Sequence, residues 1–245
     1  MRFLCLHGGG TNAEIMQAQF ALLTYELGRD GHTFHFVNGN FNTKAAPGIA
    51  SVYEGPYLEH FQSKRLSYKD MYSSPIQTKS KTAWTTEEYI RKLSQVQCID
   101  GKSVSDACAY VQEIVNGSDG PFDGIIGFSQ GASLAATYLI RKPRDAQLEC
   151  AVFICATPAM DAEGTGFVLA DEPHDTITIP TAHITGFQDS LRKAGLALYN
   201  ICDPHTATHF EHNKGHLLPR DPETNKTLAS IIRDVVRRAE GQREL

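Results

Sequence analysis

Five consecutive residues, Gly127-Phe128-Ser129-Gln130-Gly131, have the types and spacing to do chemistry in this 245-residue chain. A serine hydroxyl is a weak nucleophile near neutral pH, so a base must take its proton and an acid must orient that base. An apolar run from Asp123 to Phe128 precedes Ser129, and an amphipathic run from Gln130 to about Arg141 follows it, so strand, sharp turn and helix come in that order. On such a turn the Oγ projects above the sheet, and glycines two residues to either side let neighbouring backbone pass without a Cβ clash. Ser129 is therefore predicted to be a nucleophile; without its strand and helix the run would be an ordinary glycine-rich turn.

The partners of such a serine follow it in α/β-hydrolases in the order acid, then histidine, each on a loop after a later strand. Asp189 comes just after His183-Ile184-Thr185-Gly186, where a strand ends, and is the predicted acid; Asp161, Asp171, Asp175 and Asp203 have weaker strand context. Four histidines lie late in the chain. His216 follows Gly215, lies beyond a strand from Thr208 to Glu211 and precedes Pro219 and the last helix, so it is the predicted base. His209 and His212 read as strand or strand-end residues and His205 as a loop residue. An anionic tetrahedral intermediate also needs preorganised donors. One is expected to be the backbone N–H of Gln130, and the other to come from the turn His7-Gly8-Gly9-Gly10, with Gly9 the expected donor and Gly10 its alternative.

The elements that must position these residues alternate along the chain as short β-branched or aromatic runs and amphipathic stretches, the pattern of β-α-β units around a parallel sheet. Strands are expected at Phe3 to Leu6, Phe34 to Val37, Asp123 to Phe128, Ala151 to Cys155, Ala182 to Thr185 and Thr208 to Glu211. Helices are expected at about residues 13–28, opened by a capping box of Thr11 and Glu14, and from Ser103 to Gly117, Gln130 to Arg141, Leu191 to Tyr199 and Thr227 to Ala239. Only Met1 and Arg2 precede the strand that feeds the glycine turn. That leaves no room for two leading strands, and a trimmed, mainly parallel sheet of about six strands with helices on both faces is predicted.

Two stretches resist this scheme. Residues 39–85 show no clear period but carry Phe41, Tyr53, Tyr57, Phe61, Tyr68, Tyr72 and Trp84, which suggests a lid or pocket wall inserted into a single domain covering residues 1–245. Tyr53 and Trp84 are its candidate substrate contacts. Residues 157–180, with Gly164, Gly166 and Pro173, read as a smaller flap. Both follow predicted strands at their C-terminal ends, where ligands bind in α/β sheets.

Composition narrows the partners. Lys+Arg 23 against Asp+Glu 28 gives a formal net charge of −5, which offers no footprint for nucleic acid or an anionic membrane. No apolar run approaches a membrane span, and the first residues turn to glycine too early for a signal peptide, so a cytoplasmic protein is expected. Six scattered cysteines without a C-x-x-C pair fit reduced, mostly buried thiols. Positions three apart on a strand face opposite ways, so His209, His212 and His216 are not expected to form a metal site, and the absence of a Walker loop and of G-x-G-x-x-G argues against a nucleotide cofactor. No cofactor is expected.

Leu6-His7-Gly8-Gly9, Gly120-Pro121-Phe122-Asp123-Gly124 running into Gly127-Phe128-Ser129-Gln130-Gly131-Ala132, His183-Ile184-Thr185-Gly186 before Asp189, and Gly215-His216 before Pro219 together resemble the fungal serine hydrolase (FSH) family over nearly the whole chain. The resemblance implies an α/β-hydrolase fold, a triad of Ser129, Asp189 and His216, and thioesterase or esterase activity. Some of that family are stand-alone enzymes that release a finished polyketide from a synthase, which implies an acyl thioester or ester substrate that an acyl-carrier domain could present. A carboxylesterase on a small free ester, an acyltransferase or cyclase using the same acyl-enzyme, and a non-catalytic acyl-binding receptor are the competing readings. A receptor has no need of nucleophile, acid, base and glycine turn together.

Overall fold

The structure is a computed structural model that describes residues 1–64, 84–95, 98–141 and 147–243. Its strands and helices, in chain order, are β1 (Arg2–Leu6), α1 (Ala13–Gln19), α2 (Ala21–Gly28), β2 (Thr33–Val37), β3 (Phe41–Asn42), β4 (Leu58–Glu59), β5 (Ser63–Lys64), α3 (Thr86–Ser94), β6 (Cys98–Ile99), α4 (Gly101–Asn116), β7 (Gly124–Phe128), α5 (Gln130–Arg141), β8 (Cys150–Ile154), β9 (Thr181–Gly186), α6 (Arg192–Asn200), β10 (Ala207–His212) and α7 (Pro222–Arg243).

Six strands form one sheet in the order β10-β9-β8-β7-β1-β2, and every pairing in it is parallel. β7, β8 and β9 are buried at every residue, as strands covered on both faces must be; β7 and β8 accordingly read as continuous apolar runs, whereas β9 buries Thr181, His183 and Thr185 as well. Alternation divides their side chains between two cores. Phe3, Cys5, Ile126, Val152 and Ile184 pack beneath Met16, Leu23, Leu27, Leu228, Ile232 and Val235 of α1, α2 and α7. Leu4, Leu6, Ile125, Ala151 and Phe153 face Val104, Val111, Leu134, Ala135 and Leu198 of α4, α5 and α6. The helices thus lie on both faces, as predicted.

The chain order reverses between β1 and β7, since β2 lies on one side of β1 and every later strand of the sheet on the other. Connections leaving the C-terminal ends of these two strands diverge and leave a crevice, the place where α/β sheets bind ligands. The glycine turn after β1 and Ser129 after β7 both lie there.

Several local expectations need correction. The stretch 13–28 is two helices that meet at Phe20, whose φ and ψ of −86° and −3° cap one and open the other. The N-cap of α1 is Asn12, which accepts the N–H of Ile15, while Thr11 turns its hydroxyl to the carbonyl of Gly8. The last helix starts at Pro222, five residues earlier than expected. Residues 39–85 do contain structure: β3 pairs with β4, and β5 pairs with β6 beyond it, both antiparallel and outside the main sheet. Immediately after that stretch comes the unforeseen α3, opened by a full capping box of Thr85 and Glu88. Tyr68 and Tyr72 lie outside the described residues. No helix among the described residues is long and apolar enough to cross a membrane.

Candidate active site

Ser129 follows β7 directly and has φ of 53°, in the left-handed region that costs an L-residue about 1–2 kcal/mol. Its N–H continues the ladder to Ile154 O at 2.9 Å, and its carbonyl accepts from Ala132 and Ser133 to start α5. The turn is tight enough that a Cβ on Gly127 would sit 2.3 Å from Ala132 Cα, and one on Gly131 would sit 2.2 Å from Leu6 O. The two flanking glycines are therefore needed where helix and strands approach each other.

Asp189 and His216 reach the same point from the ends of β9 and β10. Past those strands the backbone pairing continues, with Phe187 N–H on His212 O at 2.8 Å and Gln188 N–H on Lys214 O at 2.9 Å. A Cβ on Gly186 would lie 2.5 Å from the carbonyl oxygens of both Lys214 and Gly215, so the two loops are in backbone contact. His216 Nδ1 donates to Asp189 Oδ2 at 2.8 Å, and Ser129 Oγ lies 2.9 Å from His216 Nε2. The other carboxylate oxygen, Oδ1, accepts Leu191 N–H at 2.8 Å, which fixes the plane of the acid. Asp189 is shut away from solvent, whereas the His216 side chain keeps 18% exposure on the cavity side. Phe128 supports the imidazole at a centroid distance of 5.5 Å. Asp161, Asp171, Asp175, Asp203, His205, His209 and His212 take no part; His209, for example, bonds Thr185 Oγ1 at 2.8 Å.

Two N–H groups belong to residues that line the cavity beside Ser129 and His216. That of Gln130, at the first position of α5, meets no acceptor among the described residues, nor does that of Gly9. Gly10 N–H, by contrast, is already bound to Leu58 O at 2.9 Å. The carbonyl of Gly8 receives three donors: Thr11 N–H at 3.2 Å, Thr11 Oγ1 at 2.6 Å and His7 Nδ1 at 2.8 Å. A trans peptide points its N–H opposite its C=O, so pinning that oxygen aims the Gly9 N–H away from it, towards the cavity that Gly9 lines. His7 Nε2 accepts Gly39 N–H at 2.9 Å, which leaves the ring proton on Nδ1 and fixes the tautomer.

Ser129 opens onto a cavity of about 600 Å³. Ile49 and Val52, Phe61, Ile99, Met160 and Phe167, and Leu191 supply its apolar walls, drawn from residues 39–64, from β6, from residues 157–180 and from the start of α6. Tyr53 and Trp84 do not line it. Tyr53 instead meets Arg220, and Trp84 offers its carbonyl to Lys193 Nζ at 2.7 Å. The aromatic-rich segment does supply cavity wall, but through other side chains: Ile49 faces the cavity half-buried and Val52 lines it while staying exposed.

The profile of the serine hydrolase (FSH1) family matches residues 1–228. The chain belongs to that family. Among its curated relatives, Esterase FPY3 of Fusarium mangiferae is 30% identical over 249 residues, covering 98% of each chain, and Hydrolase phiM of Talaromyces stipitatus is 31% identical over 246 residues, covering 95% of this chain and 85% of that one. Among solved structures, Arabidopsis thaliana SOBER1 aligns with a TM-score of 0.53 at 17% identity over 96% of this chain and 99% of its own. The carboxylesterase from Mesorhizobium loti gives 0.53 at 15%, over 96% and 87%. These two likenesses establish the α/β-hydrolase fold.

Two further features of this serine hydrolase were invisible in its sequence. Gln130 accepts His60 N–H through Oε1 at 2.8 Å and donates to Phe61 O through Nε2 at 2.8 Å, so the residue after the serine is tied to the cavity wall. Cys155, at the end of β8, is the other described non-glycine residue with positive φ, at 49°. Its Sγ lies within 4.8 Å of ligand atoms of Asp189 and His216. Burial, then the neighbouring Asp189 charge, pushes its thiol well above the ordinary range. A metal at this grouping would have to displace that held proton and break the short Asp189–His216 bond, so the residues suit proton transfer better than coordination.

Proposed function

We propose that this serine hydrolase cleaves an acyl ester or thioester through an acyl-enzyme on Ser129. The observation that carries the reading is the hydrogen-bonded line from Ser129 Oγ through His216 to Asp189 at the floor of an apolar cavity. His216 Nε2 takes the serine proton as Oγ attacks the carbonyl carbon, and Asp189 stabilises the imidazolium through Nδ1–H. The oxyanion gathers the N–H groups of Gly9 and Gln130, each worth about 10²–10³-fold in rate. The tetrahedral intermediate collapses as His216 protonates the departing oxygen or sulfur, and water activated by the same Nε2 then releases the acid.

The acyl group we propose is a medium, functionalised chain of the polyketide type, made in secondary metabolism and presented by an acyl-carrier domain in the cytoplasm. A cavity of about 600 Å³ with mainly apolar walls suits such a chain. The names of the relatives, esterases and hydrolases of fungi, agree with the reaction class. Val52 and Leu217, which line the cavity, are 67% and 42% exposed, so it opens to solvent; water or an internal nucleophile can end the reaction from the same acyl-enzyme.

The test is a panel of acyl thioesters and oxyesters, read by product release and by the intact mass of trapped enzyme. An acyl adduct on Ser129 that is absent from Ser129→Ala is expected. Binding of acyl ligands with no adduct and no turnover would instead identify a receptor.

A further inference from the structure

The wall around Ser129 is mostly apolar, yet Lys214, Arg220 and Asp221 also line it. Asp221 is committed elsewhere: Oδ1 accepts Thr224 N–H in the first turn of α7, and Oδ2 stands 3.6 Å from Lys214 Nζ. Arg220 pairs with no carboxylate among the described residues, whereas Arg91, Arg192, Arg233, Arg237 and Arg238 each do. Its guanidinium is held by Tyr53 instead, with Nη2 3.3 Å from the tyrosine oxygen and Cζ 5.9 Å from the ring centroid. Tyr57 steadies Tyr53 in turn by donating to its carbonyl at 2.7 Å. Neither tyrosine neutralises the charge. The result is an oriented, uncompensated cation on the wall of an apolar cavity, in a chain whose net charge of −5 otherwise disfavours anions.

We propose that Arg220 is an anion subsite, and that the substrate joins its apolar acyl group to a carboxylate or phosphate. The proposal rests on the Ser129 acyl-enzyme reading and names the substrate class for it. A planar guanidinium can give two parallel hydrogen bonds to either anion. Arg220 lines the same cavity as His216, the group that protonates whatever departs, so an anion carried by the leaving group, as in a phosphorylated thiol, is one source of this chemistry. A carboxylate at the far end of the acyl chain is the second source of the same chemistry.

Two matched pairs of thioesters separate these sources: one acyl group on pantetheine or on phosphopantetheine, and one neutral thiol carrying acyl chains that end in methyl or in carboxylate. Wild-type enzyme is expected to prefer the charged member of one pair through a lower KM. In Arg220→Gln the charged-to-neutral ratio of kcat/KM should fall about fivefold, the scale of an exposed pair, with the loss in KM. Tyr53→Leu should move the ratio the same way, and about 0.5 M salt should erase most of the wild-type preference. The pair that responds names the source. A ratio near one in wild type, or one unmoved by Arg220→Gln, overturns the proposal. The same pairs as non-hydrolysable amides, titrated calorimetrically into Ser129→Ala, give Kd without turnover. Equal Kd for charged and neutral amides overturns the subsite even if the enzyme hydrolyses thioesters, and a charge preference lost in Arg220→Gln upholds it even if hydrolysis fails.

Discussion

The side-chain oxygen of Gln130 accepts the backbone N–H of His60 at 2.8 Å, while the nitrogen of the same amide donates to Phe61 O. One residue thus offers its backbone N–H to the reaction and its side chain to the cavity wall. Gln130→Ala keeps the backbone donor but frees it from the wall, and kcat/KM should fall about tenfold, the worth of two neutral hydrogen bonds. Gln130→Glu keeps the acceptor and loses the donor, and its charge would oppose the oxyanion, so it should lose more. Activity equal to wild type in both variants would break this link.

Acid should loosen the fold through its buried histidines. Burial lowers the pKa of His7 to about 4 and that of His183 to about 3, with His209 adding to the latter; burial and the neighbouring His7 take His60 well below its ordinary value. The unfolded chain, with histidine near pKa 6.5, binds more protons than the folded one below that pH, so stability is full above about pH 6.5 and falls as pH drops towards 4. His7 alone accounts for about 3 kcal/mol by pH 4. Urea midpoints at pH 7.5, 6 and 5 should decline in that order, and a flat series contradicts the assignment.

Ile49 faces the cavity half-buried, so a larger side chain there takes space from the acyl group without disturbing either core. Ile49→Trp is expected to lower kcat/KM for long acyl chains by about tenfold while sparing short ones. Trp84→Ala, outside the cavity, should leave the length profile unchanged. The reverse pattern across a series of acyl lengths would return Trp84 to the binding site.

Strain at Ser129 can be measured apart from chemistry. Ser129→Ala removes the nucleophile but keeps a Cβ at φ of 53°, whereas Ser129→Gly removes both. Neither should turn over substrate, and the glycine variant should be the more stable by about 1 kcal/mol, as relief of a left-handed L-residue allows. Equal melting temperatures would mean the turn is unstrained.

Signals that could be read from sequence were local ones. β7 and β8 are covered on both faces and show as apolar runs, and the serine turn needs glycines at fixed offsets. Asp189 and His216 were legible because each follows a strand end. What failed depended on the path of the chain in space. Phe20 breaks a helix whose apolar period runs on through it, and α3 buries little beyond Ile90 and Leu93, too short a stripe to stand out despite the capping box at Thr85 and Glu88. Aromatic content could not say that Tyr53 would turn to Arg220 while Ile49 turned inward, and nothing in Gln130 itself announces its bond to His60.

Cys155 bears on how the enzyme can be addressed by covalent reagents. A sulfur so near Asp189 and His216 looks like a second target for electrophilic warheads, but it is 2% exposed and its proton is held by burial and by the adjacent carboxylate. Only the thiolate attacks alkylating agents. Iodoacetamide pretreatment should therefore leave fluorophosphonate labelling undiminished, and a single adduct at Ser129 should account for it. Reduced labelling after pretreatment would show the thiol to be reachable. Selectivity between serine- and thiol-directed inhibitors is thus built into the backbone turn at the end of β8, which tucks the sulfur behind the acid while β7 lifts the hydroxyl into view.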